Sequence, residues 1–266
     1  MRTAEERSAS STDESSQQLR LALPQRHLAL EQDAEWCVFD AGNGWEEVRF
    51  HDYGDVYAIP GLYEKLFYET LQCNSPATVR RLLQASLKAS GETPRGLRVL
   101  DVGAGNGMVG EELASIGVNT IVGVDIVEQA VRALDRDRPG IYEAYFITDL
   151  TDLPSATRQK LAQYRFNCLT CVAALGFGDI PPRAFATAYN LVATGGWIAF
   201  NIKEHFLNGS DATGFSGLIA AMISQGILDV TTRERYQHRV ATNGAPLHYV
   251  AVIGRKAADV PETMLD

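Results

Sequence analysis

Three glycines at alternate positions, Gly103, Gly105 and Gly107, follow the apolar run Val99-Leu100-Asp101-Val102. That pattern lets a backbone bend sharply and lets a ligand lie against bare peptide groups. One carboxylate, Asp101, stands just before the turn, and two more, Asp125 and Asp149, follow later apolar runs. An acid at the end of a strand can accept hydrogen bonds from both hydroxyls of a ribose. A second glycine register overlaps the first. Gly105-x-Gly107-x-x-Gly110 is a literal dinucleotide fingerprint, with Asp125 lying 20 residues after Gly105. It begins two residues late for a strand that ends at Val102. A pyrophosphate wants helix N–H groups and no neighbouring carboxylate, whereas a cationic ligand suits Asp101.

Other residues are candidates for proton chemistry. His51, Asp52, Tyr53 and Tyr57 precede the first expected helix, and His51 is a candidate general base. Asn201, Lys203, Glu204 and His205 fall at the end of a strand, where His205 could take a proton from an acceptor hydroxyl. Cys168-x-x-Cys171 has redox or zinc spacing, but on a strand its two members face opposite ways and no second pair completes a zinc site. They read as core cysteines. His248 and Tyr249 also alternate faces and read as structural.

These residues need elements to hold them. Residues 35–40 and 45–50 flank Asn43-Gly44 and predict a hairpin. Pro60-Gly61 opens a helix carrying Leu62, Leu66 and Phe67, and Ser75-Pro76 caps and starts a second. From Arg98 strand and helix alternate: strands over 98–102, 120–125, 144–147, 166–172 and 197–202, helices between them. Such alternation implies a parallel sheet with right-handed crossovers. A helix over 213–225 then leads to two long strands joined at Asn243-Gly244, an antiparallel hairpin. The expected organisation is a disordered tail over 1–18, a cap of hairpin and helices over 19–95, the main domain over 96–257 and a short tail over 258–266.

Asp101-x-Gly103-x-Gly105-x-Gly107 resembles the first motif of the class I S-adenosylmethionine (SAM)-dependent methyltransferases. The resemblance covers about residues 98–256. It implies an α/β fold: a Rossmann-like, seven-stranded, mostly parallel sheet with a C-terminal antiparallel hairpin and helices on both faces. The N-terminal hairpin and helices would form a cap. It also implies SAM as cofactor, with S-adenosylhomocysteine (SAH) as product. Asp101, Gly103, Ala104, Gly105 and Gly107 would form the SAM loop. Asp125 would bind the ribose, Ile126 would lie beside the adenine, and Asp149 with the Leu150 amide would meet the adenine amino group. Ala173, in the small run Ala173-Ala174-Leu175-Gly176, would let the methionine part approach the sheet. Tyr53 and Tyr57 match a Tyr-rich segment that closes over SAM. Residues 172–178 and 181–201 also resemble the methyltransferase-like branch typified by the Williams–Beuren region 27 protein. The Asn/Asp-Pro-Pro-aromatic motif of many nucleic-acid and protein N-methyltransferases is not present after the fourth parallel strand.

Composition narrows the partners. With 266 residues, 45% hydrophobic and 21% charged, the chain suits a globular domain. No apolar run reaches the roughly 18 residues of a membrane span. No secretory signal is visible, and few, irregularly spaced cysteines suit a reducing, cytoplasmic setting. A net charge of −9 without a basic cluster disfavours a nucleic-acid partner. The expectation is methyl transfer from SAM to O, N or C of a small molecule, with no metal. The alternatives are an NAD(P)-dependent oxidoreductase built on Gly105, Gly107 and Gly110, and a SAM-binding protein without catalysis.

Overall fold

The computed structural model describes residues 19–25, 27, 30–176, 179–204 and 214–265. The expected tail over 1–18 and the candidate base His205 lie outside them.

Two sheets form. The smaller has three antiparallel strands: β1 (Arg20–Ala22), β2 (Trp36–Asp40) and β3 (Glu46–Arg49). The predicted hairpin is β2–β3, and the Asp40 carboxylate fastens its turn by accepting from the Gly42 and Gly44 amides at 2.7 and 3.1 Å. β1 escaped the sequence reading because three residues are too few to show an alternation. Next come α1 (Tyr53–Ala58) and a π-helical segment, Glu64–Thr70. α1 falls where the sequence suggested only an approach to the first helix, because it buries just Val56 and Tyr57 and has no room for a stripe.

The larger sheet contains β4 (Arg98–Val102), β5 (Thr120–Asp125), β6 (Ala144–Ile147), β7 (Cys168–Leu175), β8 (Trp197–Lys203), β9 (Leu228–Val240) and β10 (Pro246–Lys256). Its order is β6-β5-β4-β7-β8-β10-β9. The first five strands run parallel, and β10 lies antiparallel to both β8 and β9. This is the expected seven-stranded sheet. Its strand order reverses between β4 and β7, which opens a crevice beyond the carboxyl ends of these strands, where open α/β sheets bind ligands.

Alternation along each strand divides the core. Leu100 and Val102 join Phe185, Phe200 and Phe215 on one face, covered by α5 (Ser155–Gln163), α6 (Pro182–Asn190) and α7 (Phe215–Ser224). Val99, Ile121 and Trp197 lie on the other, under α2 (Ser75–Ala89) and α3 (Met108–Ser115). Cys168 and Cys171 fall one to each face and are free thiols, in keeping with the core reading. α4 (Glu128–Asp137) packs on α1.

α2 lies on the main sheet through Val79, Leu82, Leu83 and Leu87, which repeat at helical spacing, whereas the sequence reading grouped it with the cap. Ser75 is not its cap. The Ser75 hydroxyl turns inward to Tyr236, His238 and Asn201, at 2.6, 2.6 and 2.9 Å.

Candidate active site

A cleft of about 480 Å³ occupies the predicted crevice. Val102 at the end of β4 with Gly103 just after it, Val124 and Asp125 from β5, and Val172 and Ala173 from β7 form its floor. Of the residues singled out from sequence, His51, Tyr53, Tyr57, Gly103, Asp125, Ile126, Asp149, Leu150 and Ala173 all line it.

Asp101, Ala104, Gly105 and Gly107 stand behind the wall. Asp101 is 1% exposed, because strand alternation turns it to the face covered by α2 and α3. Its two oxygens accept from Thr170 and Tyr142, each at 2.6 Å. Burial raises its pKa to about 6, against the pull of these two bonds. A Cβ at Gly105 would overlap the Tyr57 hydroxyl, and one at Gly107 would come within 2.7 Å of Leu134. Both residues have positive φ, so these glycines answer to backbone conformation and close packing.

Asp125 organises this half of the cleft. One carboxylate oxygen accepts from the Gly105 amide and the other from the Val127 amide, both at 2.9 Å. It therefore closes the glycine turn and starts α4 at once. Burial raises its pKa, opposed by the amides of Val127, Gly105 and Ile126. The Gly105 N–H thus already serves a carboxylate, and Tyr57 covers the turn, which leaves no pyrophosphate cradle there. At the mouth, Ile126 is 61% exposed, an apolar surface suited to a flat ring. Asp149 uses one oxygen for both the amide and hydroxyl of Thr151, each at 2.7 Å, which hold its pKa down. Leu150 is buried beside it.

The roof is aromatic. Rings of Tyr53 and Tyr57 stack at 6.2 Å, and Tyr57 meets Tyr63 at 4.9 Å. Burial pushes the pKa of all three upward, so they present neutral phenols. Arg136 donates to the Tyr57 carbonyl at 3.2 Å, and Glu64 joins Asn106 of the glycine turn to Arg138, both at 2.7 Å.

At the other end, His51 Nδ1 lies 3.0 Å from Asp179 Oδ2. Asp179, Tyr63 and Ile180 line the cleft too, and sequence reasoning missed them. Asp179 is a lone acid just before Pro181-Pro182, and only its pairing with a residue 128 positions away reveals it. β7 runs on past the predicted Val172 to Leu175, and Ala173 there takes φ +57°. The Asn201 side chain clamps it, accepting from its amide at 2.6 Å. Asn201 is fully buried and supports the wall from behind. Glu204 instead pairs with Arg235, at 2.9 Å.

The methyltransferase domain family matches the chain over residues 75–225, beginning at α2. The ubiquinone biosynthesis O-methyltransferase of Thiobacillus denitrificans is 34% identical over 118 residues, 42% of this chain and 49% of that protein. Its counterpart from Burkholderia thailandensis is 27% identical over 139 residues, 50% of this chain and 56% of that protein. The chain thus spans about half the length of the curated relatives it matches. Among solved structures, the N-methyltransferase NodS from Bradyrhizobium japonicum, in complex with SAH, superposes with a TM-score of 0.51 at 15% identity, covering 78% of this chain and 97% of that one. A SAM-dependent methyltransferase from Clostridium acetobutylicum gives 0.50 at 11% identity, covering 74% and 97%. These two likenesses speak for the fold. With 151 matched residues, the expected seven-stranded sheet and the cleft at its switch point, the chain belongs to the methyltransferase domain family, the class I SAM-dependent methyltransferases that its glycine turn resembles.

Proposed function

We propose that the protein transfers a methyl group from SAM to a small-molecule acceptor. The carrying observation is the Asp125 carboxylate, which lines the cleft while bracing the glycine turn. Its oxygens accept from backbone amides and keep lone pairs for the two hydroxyls of a ribose. Ile126 and Leu150 would flank the adenine, and Asp149 would accept from its amino group through the oxygen that Thr151 does not use. Gly103 and Ala173 would leave room for the methionine part, under Tyr53 and Tyr57. The residues present fit SAM and not a dinucleotide.

SAM supplies an electrophilic methyl carbon when bound. The protein's share is alignment of the acceptor for in-line displacement and exclusion of water by the tyrosine roof. His51 would take the acceptor's proton, with Asp179 fixing the ring. An oxygen acceptor is the first to test, since the relatives named above are O-methyltransferases. The net charge of −9 argues against a nucleic-acid substrate. A reducing, cytoplasmic compartment suits four cysteines that are all unpaired. Among the described residues, no helix is long and apolar enough to cross a membrane.

Calorimetry tests the cofactor. SAH should bind with a micromolar dissociation constant and NADH should not. Asp125→Ala should weaken SAH by about 2–3 kcal/mol, roughly 30- to 150-fold. Binding of NADH in place of SAH would overturn the proposal.

A further inference from the structure

A second chamber, of about 40 Å³, adjoins the cleft. His51, Tyr53, Tyr63, Ala173 and Asp179 border both spaces. Beyond them stand residues that no sequence motif joined: Gln32, His238, Arg239 and Tyr249. Gln32 sits in a 3-10 turn ahead of β2 and is 7% exposed. Its Nε2 donates to the Tyr249 hydroxyl at 2.8 Å. Its Oε1 is buried and has no hydrogen-bond partner among the described residues. An acceptor left unmade in such a place costs about 1–3 kcal/mol. A donor on a ligand would recover that energy.

The chamber's charges are settled internally. Arg239 pairs with the buried Glu35, whose other oxygen accepts the Thr242 amide at 2.6 Å. His238 has its Nδ1 2.6 Å from the Ser75 hydroxyl and stacks on Tyr249 at 4.0 Å. Burial and Arg239 lower its pKa well below the usual value, so it is neutral. Asp179 adds a carboxylate at the entrance beside His51. An anion entering here would meet Asp179 and find no uncompensated cation. The volume admits a substituent of a few heavy atoms, given that one water needs about 10–15 Å³ of such space.

We propose that this chamber anchors the methyl acceptor by an uncharged hydroxyl or amino group, which donates a hydrogen bond to Gln32 Oε1. The proposal rests on the methyltransferase reading of the larger cleft and names the acceptor's chemistry. It assigns Gln32 as a specificity-determining residue and excludes carboxylate- and phosphate-headed acceptors.

The test uses the full chain saturated with SAH, with 4-fluorophenol and 4-fluorobenzoate as probes read by fluorine NMR. 4-Fluorophenol should bind wild type at least about 5-fold more tightly than 4-fluorobenzoate, the equivalent of one net hydrogen bond. Gln32→Met, which keeps the volume, should weaken 4-fluorophenol by about 5-fold and leave SAH affinity unchanged. Equal binding of 4-fluorophenol to wild type and Gln32→Met, tighter binding of 4-fluorobenzoate, or no 4-fluorophenol binding would each overturn the subsite. The comparison of the two probes on wild type needs no variant and stands even if Gln32→Met does not fold. Failure of wild type to bind SAH at all would instead overturn the reading of the cleft.

Discussion

Two turns leave the parallel sheet at the switch point, and they are held in opposite ways. The turn after β4 bends at glycines, and its brace, Asp125, comes from the neighbouring strand. The bend in β7 falls at Ala173, a residue with a side chain in left-handed conformation, at a cost of about 1–3 kcal/mol. It is clamped by Asn201, which donates to Ser75 and Tyr236 at 2.9 and 2.5 Å. The first turn is cheap and local. The second is strained and depends on residues from α2, β8 and β9. A glycine turn can serve one cofactor in many proteins. A clamp of this kind ties the shape of the inner wall to three elements distant in sequence.

The largest expected effect probes the acceptor side. His51→Asn should lower turnover on an identified acceptor by about 10²-fold or more, with SAH affinity within about twofold of wild type. Steady-state kinetics and calorimetry together check it. Full turnover would remove His51 as the base, and lost SAH binding would show that the two sides are not separable.

Asn201→Leu should come next. It leaves the Ala173 amide without its acceptor and withdraws a donor from two buried hydroxyls, at about 3 kcal/mol. Thermal unfolding should drop by roughly 6–12 °C. A change within 2–3 °C would mean that the clamp is ornamental and that the contrast between the turns fails.

Asp101 gives the matching test on the cofactor side. Its folded pKa of about 6 lies above the ordinary value of 3.8, so the folded state binds its proton more tightly. Its contribution to stability is complete below about pH 4 and is lost as pH rises through about 6. Urea unfolding between pH 4 and pH 7.5 should show this slope in wild type and a flatter profile in Asp101→Asn. Identical profiles would show that the buried carboxylate does not titrate in this window.

The smallest effect is expected from Ala173→Gly. Relief of the left-handed strain should stabilise by up to about 1 kcal/mol, after the entropy cost of a new glycine. Chemical denaturation measures it, and a clear loss of stability would show that Ala173 is not strained.

The same contrast explains what could be read from sequence. The glycine-turn side of the cleft was legible because its parts are near in sequence and chemically distinctive: alternate glycines, Asp125 at a strand end, Asp149 after the next strand. Parallel strands followed from β–α alternation and the antiparallel end from the Asn243-Gly244 hairpin, while the order of the strands did not. The opposite side of the cleft was not legible. Asp179 has meaning only beside His51, Asn201 only behind Ala173, and Gln32 only against Tyr249. Asp101 was placed at the glycine turn by its motif, and strand alternation sets it in the core, accepting from Thr170 and Tyr142. Tyr249, read as a structural strand residue, lines the second chamber.

The place of β10 in the sheet also sets a timetable. It enters between β8 and β9 after both have been made, and it carries Tyr249, whose partner Gln32 lies 217 residues earlier. On a ribosome the glycine turn, β5 and α4 can assemble while the last hairpin is still untranslated. The wall around Gln32 has to wait for a pairing across 217 residues, the kind that closes slowly. A nascent chain thus passes through a stage with its glycine turn in place and the wall around Gln32 unbuilt.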